Sequence, residues 1–350
     1  MSNDAQSQVN PFAAQQQLLI ERLHHLLETL HAVLYDDVVR ALEVPGKLLS
    51  RSHSEVNSFY TGPPAGSWSL LTLLVAQHVA PEIDLVCASS VAIALECFIC
   101  ALDLLDDVED DDQTPIVQAL GAARTLNVST TLLMLAQKAI LSLSQQDVPP
   151  ERILSLLSTL QESALVATAG QHRDLLAERR LAQDLTQEEC IEIAAGKAGS
   201  LMCLACRLGA LCASADNDLC EQFSEFGELL GIAHQLDNDC HDLYYLLQGH
   251  TSAVLPTDAK SAPGSIKTDL VRGKKTLPVV IAARARKDDI LKSIVSLTDE
   301  ENKEYLRTLH EGIMTTWGIC LLYRERARDR LQEIEAQQPI SPMLRLLLGL

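Results

Sequence analysis

The chain has 350 residues, 47% of them hydrophobic, which is enough for a sizeable core. Its 47 acidic against 28 basic residues give a formal net charge of −19, which excludes nucleic acid and anionic membrane surfaces as expected partners, because both need a basic footprint. No apolar run is read as long enough for a membrane span, and the polar start MSNDAQSQVNPF lacks a basic segment leading into an apolar one, so no leader and a cytoplasmic location are expected.

Residues 1–14 are predicted to be disordered and 15–350 to form one all-α domain, a single large helical bundle. Apolar residues recur at three- and four-residue spacing over 17–35 (QLLIERLHHLLETLHAVLY), 69–80, 90–106, 115–143, 151–178, 187–213, 221–247, 267–287 and 303–335. Alternating strand patterns are absent. Breakers separate the helices at Gly62-Pro63-Pro64, Pro81 and Pro149-Pro150. The stretch 249–264 (GHTSAVLPTDAKSAPG) is too polar for a core, and reads equally as a lid over a site or as an ordinary solvated loop. Two CxxC pairs, Cys97/Cys100 and Cys203/Cys206, lie inside apolar helical stretches with no turn between the thiols, so they read as small core residues and not as zinc ligands.

The strongest local signal is Asp103-Leu-Leu-Asp106-Asp107-Val-Glu109-Asp110-Asp111-Asp112. Asp106 and Asp110 stack one turn apart on a helix, with Asp107 beside them. Acids are unfavourable at the negative end of a helix dipole, so this run ending an apolar helix points to bound cations. Mg²⁺ takes oxygen ligands and keeps positions open for substrate phosphate. A second cluster, Gln235-Leu-Asp237-Asn238-Asp239-Cys-His-Asp242, repeats the arrangement after the apolar FGELLGIAH. Facing each other across a bundle, two such clusters would hold metal ions bridging one diphosphate. Lys197 sits alone in IAAGKAGSL, and Lys267 and Arg272-Gly273-Lys274-Lys275 stand out in a chain poor in basic residues. A buried lysine needs a partner, and a diphosphate suits it; a lysine reaching solvent along the surface is the plainer reading of Lys197.

Together these residues resemble the trans-isoprenyl diphosphate synthases. DDVED at 106–110 resembles that family's first Asp-rich motif and NDCHD at 238–242 its second; GQHRDL at 170–175, GKAGSL at 196–201 and KTDLVRGKKTLPVV at 267–280 follow in the family's order. The resemblance implies an all-α synthase fold, a homodimer, and three Mg²⁺ ions gripping a prenyl diphosphate. It implies metal binding by Asp106, Asp107 and Asp110 on one side, and by Asn238, Asp239 and Asp242 on the other. Lys197, Lys267, Lys274 and Gln235 would then contact the diphosphate, with Asp106, Asp107, Asp110, Asp239 and Lys197 as the catalytic set. It also places Ala101, Leu102 and Phe98 along the prenyl-tail pocket, which permits a C15 or C20 tail.

The departures concern the second substrate. Elongating members of the family hold isopentenyl diphosphate with a Gly-Lys-Arg stretch, which aligns here with Pro64-Ala65-Gly66-Ser67-Trp68-Ser69. The family's histidine seven residues before the first motif is Ile99, and the next arginine after that motif is Arg124. With no base left around a second diphosphate, the expected function is a class I terpene synthase. It would ionise one prenyl diphosphate and let the cation cyclise, eliminate or capture water. Trp68 would line its cavity, or simply fill core; Tyr60, Tyr244 and Tyr245 are further aromatic candidates. The alternatives are a prenyltransferase acting on a peptide or small molecule, a chain-elongating synthase with a rebuilt co-substrate site, and a non-enzymatic regulatory subunit.

Overall fold

The computed structural model describes residues 10–50, 64–249, 273–286 and 299–349, with side chains outside 245–249 and 299–303. Among the described residues there is no strand. The helices are α1 (Ala13–Leu27), α2 (Ala32–Leu42), α3 (Ser67–Val79), α4 (Leu85–Glu109), α5 (Pro115–Leu120), α6 (Ala122–Leu141) and α7 (Pro150–Glu178). They continue with α8 (Gln187–Ala194), α9 (Ser200–Cys212), α10 (Asn217–Gly249), α11 (Leu277–Arg286), α12 (Asp299–Gln337) and α13 (Pro342–Leu348). A π-turn, Ala195–Gly199, joins α8 to α9.

Three periodic stretches prove to be interrupted, and in 267–287 the described part is not helical before Leu277. Residues 17–35 hold α1 and α2, divided where the His31 side chain caps α2 by accepting from Val33 N. Gly121, at φ 73°, separates α5 from α6 within 115–143. The stretch 187–213 contains the π-turn. In each case apolar periodicity survives the break, so periodicity alone does not reveal it. The disordered start also needs correction: Phe12 is fully buried and α1 begins at Ala13. One buried aromatic anchors this polar segment.

The chain divides into two compact units. The first comprises Met1–Leu160, Ala205–Phe223 and Ile334–Leu350, the second Gln161–Leu204 and Ser224–Glu333. In the first unit α4 is packed by α6, α3 and α1. Asp84 caps α4 by accepting from Val86 N at 2.8 Å, and residues Cys87 to Ala101 are buried on every side. A helix apolar all round is a core helix, and each fully buried Leu or Ile contributes about 1.5–3 kcal/mol. Leu19 and Leu23 of α1 and Leu70, Leu71, Leu73 and Leu74 of α3 belong to the same core.

The expectation that no segment has the length and apolarity of a membrane span is also corrected. Leu85–Glu109, Ala122–Gln145 and Pro150–Glu178 are each long and apolar enough to cross a membrane by length and composition. The most apolar 18-residue window of Leu85–Glu109 is 83% buried within the protein, so its composition serves the core. Composition alone does not separate a core helix from a span.

In the second unit, Ala194 of α8, Ile232, Ala233 and Leu236 of α10, Leu277 and Val280 of α11 and Cys320 of α12 form one cluster. Cys240 and Leu243 pack with Val279, Ala282, Leu309 and Ile313 in another. Glycines bring backbones into contact. A Cβ on Gly231 would lie 2.3 Å from the Ala198 carbonyl oxygen, and one on Gly170 would lie 2.5 Å from the Gly196 carbonyl carbon.

Candidate active site

In the first unit the site forms at the C-terminal end of α4. The helix stops at Glu109, the chain turns through Asp111 at φ 53°, and Asp112 N donates to the Asp107 carbonyl at 2.7 Å. This turn wraps the acidic run back on itself. Asp107 and Asp110 are buried, 8% and 3% exposed, and Asp106 is half-buried. Thr114 Oγ1 donates to Asp107 Oδ2 at 2.9 Å, which fixes that carboxylate. Phe98 and Ala101 are buried and Leu102 is half-buried on the same helix. Ser129 Oγ of α6 donates to the Ala101 carbonyl at 2.8 Å. Trp68 is half-buried in the first turn of α3.

A cation stands here that the sequence alignment missed. Lys47, 7% exposed, pairs with Asp103 one turn before Asp106 and Asp107. Burial works against its charge, but Asp103 and Glu96 outweigh it and raise the lysine pKa above the ordinary value. Gly46, at φ 85°, turns the chain into Lys47, and its carbonyl accepts from Gly66 N at 3.0 Å. The buried Glu96 of α4 ties down both loops. Its Oε1 accepts from Leu48 N and its Oε2 from Ser69 Oγ, each at 2.8 Å. The segment Gly66 to Ser69 thus lies beside Gly46-Lys47, and the lysine comes from the earlier loop. Lys47 is thus a basic residue not counted when the contacts for a second diphosphate were expected to be lost. Arg124, by contrast, makes an exposed paired contact with Asp37, at 2.5 and 2.7 Å from NH2.

In the second unit the π-turn presents Lys197. One residue too many for an α-helical turn bulges there, a feature frequent at functional sites. Lys197 Nζ donates to Asp174 at 2.8 Å, with both side chains about 15% exposed (16% and 15%). The reading of Lys197 as a solvent-reaching lysine is set aside by this burial. One turn before Asp174, both polar atoms of the Gln171 amide are shielded from solvent and make no hydrogen bond among the described residues. Gln171 and Asp174 lie in the GQHRDL segment, which was noticed without a role for either. Burial, with Asp239, Glu189 and Asp174 nearby, pushes the Cys190 thiol up to about 12.

The second acidic cluster lies along α10. Gln235 Nε2 donates to Asp239 Oδ1 at 2.9 Å, and Asp239 and Asp242 are half-buried. Asn238 is exposed and its amide meets His234 Nε2 at 3.4 Å, along its own helix. Asp237 pairs with Arg324 at 3.0 Å, and His241 Nδ1 meets the Asp237 carbonyl at 2.9 Å. Tyr244 and His241 both pack on Trp317. Lys274 is buried, 7% exposed. Lys267, Arg272, Tyr60 and residues 250–264 lie outside the described residues, as does the side chain of Tyr245.

The donor set is all oxygen, which suits Mg²⁺. Among the described residues no three His, Cys, Asp or Glu side chains gather closely enough to hold an ion by themselves. Mg²⁺ characteristically takes one or two carboxylates and completes its shell with water and substrate phosphate, so the donors fit that ion when substrate arrives with it.

Residues 68–313 match the model of the polyprenyl synthetase family. The chain belongs to that family. Among polyprenyl synthetase relatives, a geranylgeranyl diphosphate synthase of Methanosarcina mazei is 27% identical over 268 residues, covering 74% of this chain and 76% of that one. A tryptophan prenyltransferase, ComQ of Bacillus spizizenii, is 32% identical over 150 residues, covering 43% of this chain and 49% of its own. The fold matches the crystal structure of a geranylgeranyl pyrophosphate synthase with a TM-score of 0.73 at 20% identity, over 97% of this chain and 96% of that one. A polyprenyl synthetase from Streptomyces coelicolor A3(2) superposes with a TM-score of 0.70 at 19% identity, over 96% of each chain. These relatives support an enzyme that uses prenyl diphosphates, and they do not support the terpene synthase expected from the sequence. The transferase alternatives fit them better.

Proposed function

We propose that this protein is a chain-elongating prenyltransferase, joining an allylic prenyl diphosphate to isopentenyl diphosphate and holding a C15 or C20 tail. The observation that carries this reading is Lys47, a buried cation beside the first acidic motif, where a second diphosphate needs one. The names of the synthases among its relatives support the same choice.

Asp106, Asp107 and Asp110 are the residues that would hold Mg²⁺ in the first unit, and Asp239 and Asp242, with Asn238, those in the second. When bound, the ion neutralises charge on the leaving diphosphate. Lys197, steadied by Asp174, offers a further positive charge to the departing group, as do Lys274 and Lys267. Gln171 and Gln235 offer amide groups for orientation. In the reaction the allylic C1–O bond breaks, a bond forms from C1 to the terminal alkene carbon of the acceptor, the positive charge passes to the other alkene carbon, and a proton leaves the CH2 group next to it to restore a double bond. Ala101, Leu102 and Phe98 would bound the tail. We take the working form to be a homodimer, as the resemblance implies.

A second reading, transfer to a peptide or other uncharged acceptor, is favoured by Ser67-Trp68-Ser69 where arginine and lysine would strengthen a diphosphate site, and by the likeness to a tryptophan prenyltransferase.

Purified protein with Mg²⁺ and geranyl, farnesyl or geranylgeranyl diphosphate, each with and without isopentenyl diphosphate, tests these readings. A longer prenyl diphosphate that forms only with isopentenyl diphosphate, and is lost in Asp106→Ala, supports elongation. A hydrocarbon or alcohol from one substrate alone would restore the terpene synthase. Diphosphate release that needs an added tryptophan peptide would favour the second reading.

A further inference from the structure

A cleft of about 350 Å³ in the first unit lies away from the acidic motifs, between the start of α4, the end of α9 and the turn before α7. Its wall includes Cys87, Cys212, Arg152 and Gln146. The two sulfur atoms are 3.6 Å apart. Two of the three non-glycine residues with positive φ among the described residues, Asp147 (56°) and Ser214 (63°), line the same cleft. Backbone held in that region costs energy and tends to persist where a site requires it. The amide oxygen of Gln146 is shielded from solvent and makes no hydrogen bond among the described residues, so the cleft offers an unused acceptor.

We propose that Cys87 and Cys212 form a thiol-oxidation site for hydrogen peroxide. The Cys87 thiolate attacks one peroxide oxygen and becomes a sulfenic acid; the O–O bond breaks, and the other oxygen leaves as water with the proton the thiol gave up. The Cys212 sulfur then attacks the Cys87 sulfur, its proton leaves with the hydroxyl as a second water, and a disulfide closes. Two thiols lose two electrons and the peroxide gains them.

Cys87 sits in the first turn of α4, where the helix dipole favours a thiolate. The hydrogen bond with Cys212 draws the Cys87 thiol below its ordinary value, helped by Arg152 and Arg22 and opposed by burial and Asp84. Other cysteines run the opposite way: burial pushes Cys97 well up, Cys100 to about 12 and Cys320 to about 11. Burial also holds the Cys212 thiol up. The two sulfur atoms stand 3.6 Å apart and close to about 2.05 Å in a disulfide.

The test uses the whole reduced protein, exposed to excess hydrogen peroxide, blocked with N-ethylmaleimide and mapped by mass spectrometry without reduction. The expected result is loss of two of the ten thiols, a linked peptide pair containing Cys87 and Cys212, and full recovery with dithiothreitol. In Cys212→Ser, dimedone should label Cys87 before any other cysteine. A first linkage between other cysteines, or a wild-type chain whose Cys87 stays alkylatable throughout, overturns the proposal. The wild-type map needs no variant to fold, and none of these readouts depends on the transferase reaction.

Discussion

Gly170 and Gly196 meet backbone to backbone, and their contact sets the distance between Asp174 and Lys197. A Cβ on Gly196 would stand 2.7 Å from Gly170 Cα, closer than packed atoms allow. Gly196→Ala should therefore destabilise by about 1–3 kcal/mol through overpacking. It should also cut turnover more than substrate affinity, because the lysine moves with the helix. Thermal unfolding and steady-state kinetics on one preparation test both; an unchanged melting temperature would refute the contact.

Lys47 and Asp103 should respond unequally to loss of the pair. Asp103 keeps 57% of its side chain in solvent, whereas Lys47 keeps 9%. Asp103→Asn leaves a buried charge less well compensated and should cost about 1–2 kcal/mol, reduced from the buried-pair range by the exposure of the carboxylate. Lys47→Met leaves Asp103 in solvent but deprives the buried Glu96 of a cation that opposes its raised pKa, so its cost should grow with pH as Glu96 ionises. Lys47→Met should also weaken use of isopentenyl diphosphate about 10–100-fold, the worth of one charged hydrogen bond, with the allylic substrate less affected. Comparing the two KM values decides it.

Gln171 offers a separation of stability from function. Its amide is shielded from solvent and makes no hydrogen bond among the described residues, which disfavours folding. Gln171→Leu should leave the melting temperature unchanged or raise it while lowering kcat/KM. A fall in both would mean the amide has a structural partner.

Glu96 gives a pH signature. Burial raises its pKa above the usual 4.5, with Lys47 and the bonds from Ser69 and Leu48 acting against the shift. A raised acid pKa adds stability below the unfolded value and loses it as pH rises through the folded value. Wild type should therefore lose stability relative to Glu96→Gln as pH climbs from about 4.5 through that raised value, then run parallel to it. Urea unfolding of both proteins across this range measures the difference; a constant gap would show that Glu96 is not the titrating group.

Ala101 is fully buried three residues beyond Phe98. If the tail runs along α4, Ala101→Phe should shorten the product by at least one five-carbon unit, read by mass spectrometry. An unchanged product length would place the tail elsewhere.

Much of this was legible from residues alone. The first acidic motif declared itself because its charges sit at the wrong end of an apolar helix, the second because it repeats the same one-turn spacing, and Lys197 because it is a lone cation among alanines and glycines. Lys47 was missed because a sequence alignment weighs neighbours along the chain, and the residues that complete its surroundings, Glu96, Asp103 and Gly66, are far from it in sequence. The π-turn was hidden for another reason: it lengthens one turn without disturbing the apolar rhythm. Gln171 was visible only as a member of GQHRDL, since an unmet hydrogen bond exists only in three dimensions.

The clamp at Glu96 bears on how this protein can be altered by evolution or by hand. Leu48 on one side and Ser69 on the other are both fastened to one carboxylate, and Gly46 is bonded to Gly66. One carboxylate therefore serves two segments at once, and any change at position 96 is felt by Lys47 and by the start of α3 together. Variation at Glu96 has to be matched on both sides, which makes that position a poor place to begin altering either segment alone.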